Sequence, residues 1–217
     1  MRFNALTWGT RIGKIAIWSA PWPLLLLVSI TAAPGADNGK ADFRPRPINE
    51  YAHRQASEGV TIAAQVYETD EETREAFGKV NPYRYGALPV FIVIQNSGKD
   101  AIRLDKMTFT YVLPDRTRVE STPAQDLKYL HGAKRPGTVP GPVIPGISRI
   151  PKNPLAEWEI EGRAFAARML PPGQTASGFV YFQVPQTSAA ASVYIAGLTN
   201  AVTGNELYYF EIPMSGK

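Results

Sequence analysis

Hydrophobic and polar positions along this chain alternate in short runs, and the period of those runs predicts strands more often than helices. Val60 to Tyr67 is the first such run. Pro89 to Gln95, reading Pro-Val-Phe-Ile-Val-Ile-Gln, is apolar on both faces, as a strand buried on two sides must be. Asn96-Ser97-Gly98-Lys99 supplies turn chemistry after it. Ala101 to Leu104 and Met107 to Leu113 come next, the second setting Phe109, Tyr111 and Leu113 on one face against Thr108, Thr110 and Val112 on the other. Pro114-Asp115-Arg116-Thr117 turns the chain into Arg118 to Ser121. Gly178 to Val184, Ser192 to Leu198 and Glu206 to Ile212 form a closing antiparallel set. In it Val180, Phe182 and Val184 are expected to share one face, as are Tyr208, Phe210 and Ile212.

Helical signals are fewer. Thr69 and Glu72 have the spacing of a capping box for a helix over Asp70 to Phe77, and Gly78 stops it. A second helix is expected from Thr122, with Pro123 at its first position and Gln125 completing a box. Leu155 to Glu161 reads two ways: Asn153-Pro154 opens a helix, yet Glu157-Trp158-Glu159-Ile160-Glu161 alternates like a strand. Many short strands and too few helices for βαβ units predict an all-β fold, an immunoglobulin-like antiparallel sandwich over 59–217 with two or three short helices and a long Pro-rich loop.

The stretch Leu170-Pro171-Pro172-Gly173-Gln174-Thr175-Ala176-Ser177-Gly178, running into Phe179-Val180-Tyr181-Phe182-Gln183-Val184-Pro185, resembles a segment of bacterial exported immunoglobulin-like domains of unknown function. Those domains use the Pro-Gly turn to enter a late strand. With the Val90 to Leu104 strand pair the likeness covers about a third of the chain. It implies a fold and an exported location, and brings no catalytic residues with it.

The N-terminus points to export independently. Arg2, Arg11 and Lys14 precede an uncharged stretch from Ile15 to Ala36, whose apolar centre at Leu24 to Leu27, Val28 and Ile30 ends in small residues. That is the layout of a secretory signal over 1–36, cleaved in the Ala33 to Ala36 zone, with an uncleaved anchor as the alternative. Pro21 and Pro23 shorten the apolar run below the ~20 residues of a spanning helix. Residues 37–58, carrying Pro45 and Pro47, read as an extended leader. The location expected is periplasmic or extracellular.

Those three basic residues also account for most of the net charge of +4. Beyond them 20 basic residues face 19 acidic ones, too even a balance for a nucleic-acid surface. The chain has no cysteine, which excludes thiolate catalysis, cysteine zinc sites, iron–sulfur clusters and a lipid-modified N-terminal cysteine. His53 and His131 lack any metal-ligand spacing. Neither a Gly-x-Ser-x-Gly elbow nor a Gly-rich phosphate loop is present, so no cofactor and no enzymatic activity is expected.

What remains are candidate contacts for a partner, either a protein or an envelope polysaccharide. Asn81-Pro82-Tyr83-Arg84-Tyr85-Gly86 places Tyr83 and Tyr85 in a loop, to be joined by Tyr129 in stacking on sugar rings or peptide side chains. Residues 132–153 hold Pro136, Pro140, Pro142, Pro145 and Pro151, an arm that either presents Ile144, Ile147 and Ile150 outward or wraps its own sandwich. Trp158 is the only tryptophan outside the N-terminal segment, and Glu157, Glu159 and Glu161 beside it would share one face if the segment is a strand. The chain is therefore expected to be an exported, non-catalytic interaction protein, with a carbohydrate-binding or weakly hydrolytic domain as the alternative.

Overall fold

A computed structural model of the chain describes residues 43–130, 153–185, 187 and 190–214. The first three strands are β1 (Arg54–Ser57), β2 (Val60–Val66) and β3 (Leu88–Asn96). They are followed by β4 (Ile102–Arg103), β5 (Thr108–Val112), β6 (Arg118–Thr122), β7 (Met169–Leu170) and β8 (Thr175–Phe182). The last are β9 (Ser192–Ala196), β10 (Thr199–Asn200) and β11 (Phe210–Pro213). Three short helices are interspersed: α1 (Asp70–Phe77), α2 (Ala124–Leu127) and α3 (Trp158–Gly162). No helix among the described residues is long and apolar enough to cross a membrane.

All pairings between these strands are antiparallel, and eight strands form one curled sheet in the order β1-β2-β3-β8-β6-β5-β9-β11. The two four-stranded halves meet at a corner only two residue pairs long, Ser121 with Phe182 and Thr122 with Tyr181. The free edges, β1 and β11, approach without a ladder: Glu211 N donates to Gln55 Oε1 at 2.8 Å and Tyr208 N to Glu58 Oε1 at 3.3 Å. The result is a near-barrel with a side-chain seam. It encloses an inner core to which both halves contribute, including Ile62, Ile92 and Phe182 from one and Tyr111, Val193 and Phe210 from the other. Strand direction defines its two ends. At one, a small sheet ordered β10-β4-β7 closes the core with Ile102, Leu170 and neighbouring Leu104. Buried Asn96 ties that closure to β3, donating to Asp100 O at 2.8 Å and Leu170 O at 3.0 Å.

Most of the expected strands are present within a few residues of their predicted ends. Val180, Phe182 and Val184 do share the inner face, and Phe109, Tyr111 and Leu113 pack there as their alternation requires. Tyr208 does not join Phe210 and Ile212. Strand β11 begins only at Phe210, so the alternation stops short of Tyr208, which is 74% exposed. The sequence reading passes over β1, whose pairing with β2 rests on a two-residue turn at Glu58 and Gly59, φ 49° and 78°, the left-handed geometry such hairpins need.

Helix α1 has the box expected of it: Glu72 N donates to Thr69 Oγ1 while Glu72 Oε2 accepts from Thr69 N, and Gly78 at φ 69° ends the helix. Helix α2 does not start at Thr122. That residue is the last of β6, paired with Tyr181, and its hydroxyl accepts from Gln183 Nε2 at 3.0 Å, so it caps nothing. The ambiguous Leu155 to Glu161 run resolves as a turn of 3-10 helix followed by α3, with Asn153 Oδ1 accepting from Leu155 N. Only Ile160 of α3 is buried, and no sheet face reads the alternation around it.

Candidate functional site

The outer surfaces of the two half-sheets differ. Over β2, β3 and β8 the outward side chains are themselves apolar: Ala63, Phe91, Val93, Phe179 and Tyr181. They are roofed by Ala76 and Phe77 of α1, Leu127 of α2, Ile160 of α3, and Phe43 and Tyr51 from the approach to β1. Phe179 is the hub, with ring centroids of Phe77, Phe91, Tyr67 and Phe43 at 4.6, 4.8, 5.1 and 5.4 Å. Burial pushes the Tyr67 and Tyr181 phenols well above the ordinary tyrosine range, with Tyr51 and Glu75 adding to the effect at Tyr67. Tyr181 donates to Ile160 O at 2.8 Å, which pins α3 to β8.

Over β6, β5, β9 and β11 no helix of the described residues lies on the sheet. The registers set outward side chains in rows: Glu120, Thr110, Tyr194 and Glu211 are successive partners across four strands, and Arg118, Val112 and Ser192 across three. Tyr194 and Tyr209 stack with centroids 5.0 Å apart and planes at 28°, and the Arg118 guanidinium lies 5.5 Å from the Tyr194 centroid. Tyr209 is 53% exposed. The stack of cation and two phenol rings stands on a platform of hydroxyls and carboxylates. Such a surface offers apolar area, hydrogen bonds and charge together, the side-chain types that concentrate at interface centres.

A cleft of about 740 Å³ opens on the roof between α1 and α3, lined among others by Arg74, Glu75, Lys79, Tyr85, Glu159 and Arg163. The Arg84–Asp70 ion pair lies at its margin, and Asn81 Nδ2 donates to Asp70 Oδ1 at 2.8 Å. The Arg163 guanidinium sits 5.3 Å from the centroid of the Phe43 ring, so one of the cleft's cations also covers the roof's aromatic layer.

The expected contact residues are distributed over several places. Tyr85 is half-buried in the roof cleft. Tyr83, two residues away, faces the other way: it packs on the inner core and its hydroxyl accepts from Thr187 N at 3.0 Å. Tyr129 is half-buried beyond α2 with Lys128 Nζ 5.5 Å from its ring centroid, and Lys128 also pairs with Glu161 of α3 at 3.6 Å. Trp158 opens α3 and is 56% exposed. Because that segment is helical, Glu157, Glu159 and Glu161 do not form the row of acids a strand would give. Ile144, Ile147, Ile150 and His131 lie outside the described residues. Sequence reasoning missed the Arg118, Tyr194 and Tyr209 stack because it needs the order in which strands pair. The signal available was Tyr194 alternating against Val193 and Ile195 in β9.

No known protein family matches this chain, and no curated protein does. Three solved structures align with it at low similarity. A candidate lipoprotein from Bacillus subtilis is 14% identical with a TM-score of 0.38, the alignment covering 76% of this chain and 39% of that one. A functionally unknown protein from Listeria monocytogenes is 12% identical with a TM-score of 0.34, over 76% and 82%. A secreted protein from Mycobacterium tuberculosis is 11% identical with a TM-score of 0.29, over 70% and 84%. The chain thus spans well under half the length of the Bacillus protein.

Proposed function

We propose that this chain is an exported, non-catalytic interaction protein, and that the unroofed half-sheet carries its principal contact with a protein partner of the cell envelope. The supporting observation is the Arg118–Tyr194–Tyr209 stack on a sheet face that no helix of the described residues covers, while three helices cover the other half. Export rests on the signal layout of residues 1–36. The immunoglobulin-like reading belongs to the same proposal, supported by two four-stranded halves facing each other across one core. The Pro-rich arm, with Ile144, Ile147 and Ile150, enters as a second contact.

Cross-linking in intact cells of the chain tagged after Lys217 tests this, with mass spectrometry of the partner and of the mature N-terminus. One protein captured by the wild type, lost with Arg118→Glu and with Tyr194→Ser but kept with Trp158→Ala, and an N-terminus near Ala36, is the expected outcome. Capture that ignores both platform substitutions would place the contact elsewhere.

A second reading, carbohydrate binding on the roof, is favoured by one observation: Tyr85 and Glu159 share a cleft, next to an exposed Trp158. It expects Tyr85→Ala and Trp158→Ala to abolish retention on an envelope polysaccharide without changing the far-UV circular dichroism.

A further inference from the structure

The end of the near-barrel opposite the three-stranded closure carries no closing sheet among the described residues. Strand β1 pairs with β2 only from Val60 to Ala63, and the last backbone bond on that side is from Ala64 N to His53 O at 3.0 Å. Beyond it, no strand of the described residues flanks the outer edge of β2 at Val66. The seam therefore splays between the end of β2 and the end of β11, leaving a cavity of about 500 Å³, within the range of small-molecule sites. Part of its wall is the barrel's own interior, with Ala64, Val66, Tyr111 and Met214 lining it, and Tyr51 and Gln65 line it beside the edge of β2. Thr187, from between β8 and β9, lies at the mouth, held by the Tyr83 hydroxyl and by a hydrogen bond from Thr187 Oγ1 to Glu68.

The rim gives the cavity a sign. Among the described residues Glu50, Glu68 and Glu72 line it with His53 and one permanent cation, Arg46, and that guanidinium is already bonded to Gln65 Oε1 and laid over the Tyr51 ring at 5.0 Å. Glu72 is occupied by the α1 cap, where its Oε2 accepts from Thr69 N and Thr69 Oγ1. Glu68, which lines the cavity, accepts from Thr187 through one oxygen, so that bond orients a carboxylate whose other oxygen keeps acceptor capacity. An apolar wall inside and an excess of carboxylate at the entrance match a ligand with an apolar body and a positively charged end.

We propose that the barrel mouth is a binding site for a small organic cation, its apolar body against Val66 and Met214 and its ammonium group at Glu68 and Glu50. This site is separate from the outer face of the unroofed half-sheet, which carries the Arg118, Tyr194 and Tyr209 stack, and stands or falls apart from it.

Isothermal calorimetry of the full chain with three probes of one shape tests the proposal: tryptamine, tryptophol and indole-3-propionate. Tryptamine should bind with one-to-one stoichiometry at least about tenfold tighter than the other two, as one well-placed charge-assisted hydrogen bond allows. Glu68→Gln should reduce tryptamine to the level of tryptophol, and Val66→Trp, which fills the cavity, should abolish binding of all three with unchanged far-UV circular dichroism. In methyl NMR spectra of the wild type, Val66 and Met214 should shift with tryptamine. Equal binding of the three probes, preference for the propionate, failure of tryptamine to bind, or shifts that leave Val66 and Met214 untouched would each overturn it.

Discussion

The roofed half of the sheet, β1-β2-β3-β8, and the bare half, β6-β5-β9-β11, on which no helix of the described residues lies, obey the same pairing geometry yet are written in different sequence grammars. Strand β3 is Leu-Pro-Val-Phe-Ile-Val-Ile-Gln-Asn and is buried along nearly its whole length, because its inner side chains fill the barrel and its outer ones meet the helices. Strand β9, Ser-Val-Tyr-Ile-Ala, alternates half-buried and buried residues, with one face on the core and the other toward solvent. The difference teaches where free energy resides and where chemistry is available. Aromatic rings on the outer surface are structural where helices cover them and accessible where none does, so Phe179 and Tyr194 hold comparable positions on their strands with opposite consequences.

Removing the hub of the roof should break that contrast most severely. Phe179→Ala deletes a ring contacted by Phe43, Tyr67, Phe77 and Phe91, and is expected to cost about 3–5 kcal/mol in urea denaturation. The inner core stays intact in this variant, so loss of α1 and α3 before the barrel, seen by hydrogen exchange, would show that the roof is a distinct cooperative layer. An unchanged urea midpoint would mean that the roof contributes little.

Alkaline pH probes the same layer more gently. Burial raises the Tyr67 and Tyr181 phenols above their unfolded value, so above about pH 10 the unfolded chain loses protons that the folded chain keeps. Their contribution is complete below that pH and falls as pH rises toward the folded values, by about 1.4 kcal/mol per pH unit for a phenol as buried as Tyr181. Tyr181→Phe should flatten this slope. At neutral pH it should cost about 1 kcal/mol for the lost bond to Ile160 O. Thr69→Ala, which removes the α1 cap, belongs at a similar magnitude of about 1 kcal/mol. A neutral-pH cost for both near zero would separate the helices from the stability of the roof.

How much of this was legible follows from the distinction between local and assembled signals. The cap at Thr69 and Glu72 and the two-faced burial of β3 are local, and the sequence states both. Thr122 shows the limit, since its capping signal is real but its backbone pairs with Tyr181, a partner 59 positions along the chain. The strand pattern of Glu157 to Glu161 fails in a similar way: the segment folds as α3, and the chain meets the edge of β8 only beyond it, where Ala164 bridges to Phe179. Whether a strand is roofed on its outer side can be read from an unbroken apolar run, but what lies beside it cannot. The stack of Arg118, Tyr194 and Tyr209 comes from three separate segments and exists only once β6, β5, β9 and β11 are in order.

The smallest expected effect on stability falls on that stack and is the most informative for function. Tyr194→Ala removes one exposed-face ring and its contacts with Tyr209 and Arg118, interactions worth under about 1 kcal/mol each at a solvent-facing site. The inward neighbours Val193 and Ile195 remain fully buried and hold β9 in register. The urea midpoint should therefore move little, while cross-linking to the envelope partner should be lost. A destabilisation approaching that of Phe179→Ala would mean that the bare half depends on its outer rings as the roofed half does. Its tyrosines would then be structural, and the asymmetry on which the proposed contact surface rests would disappear.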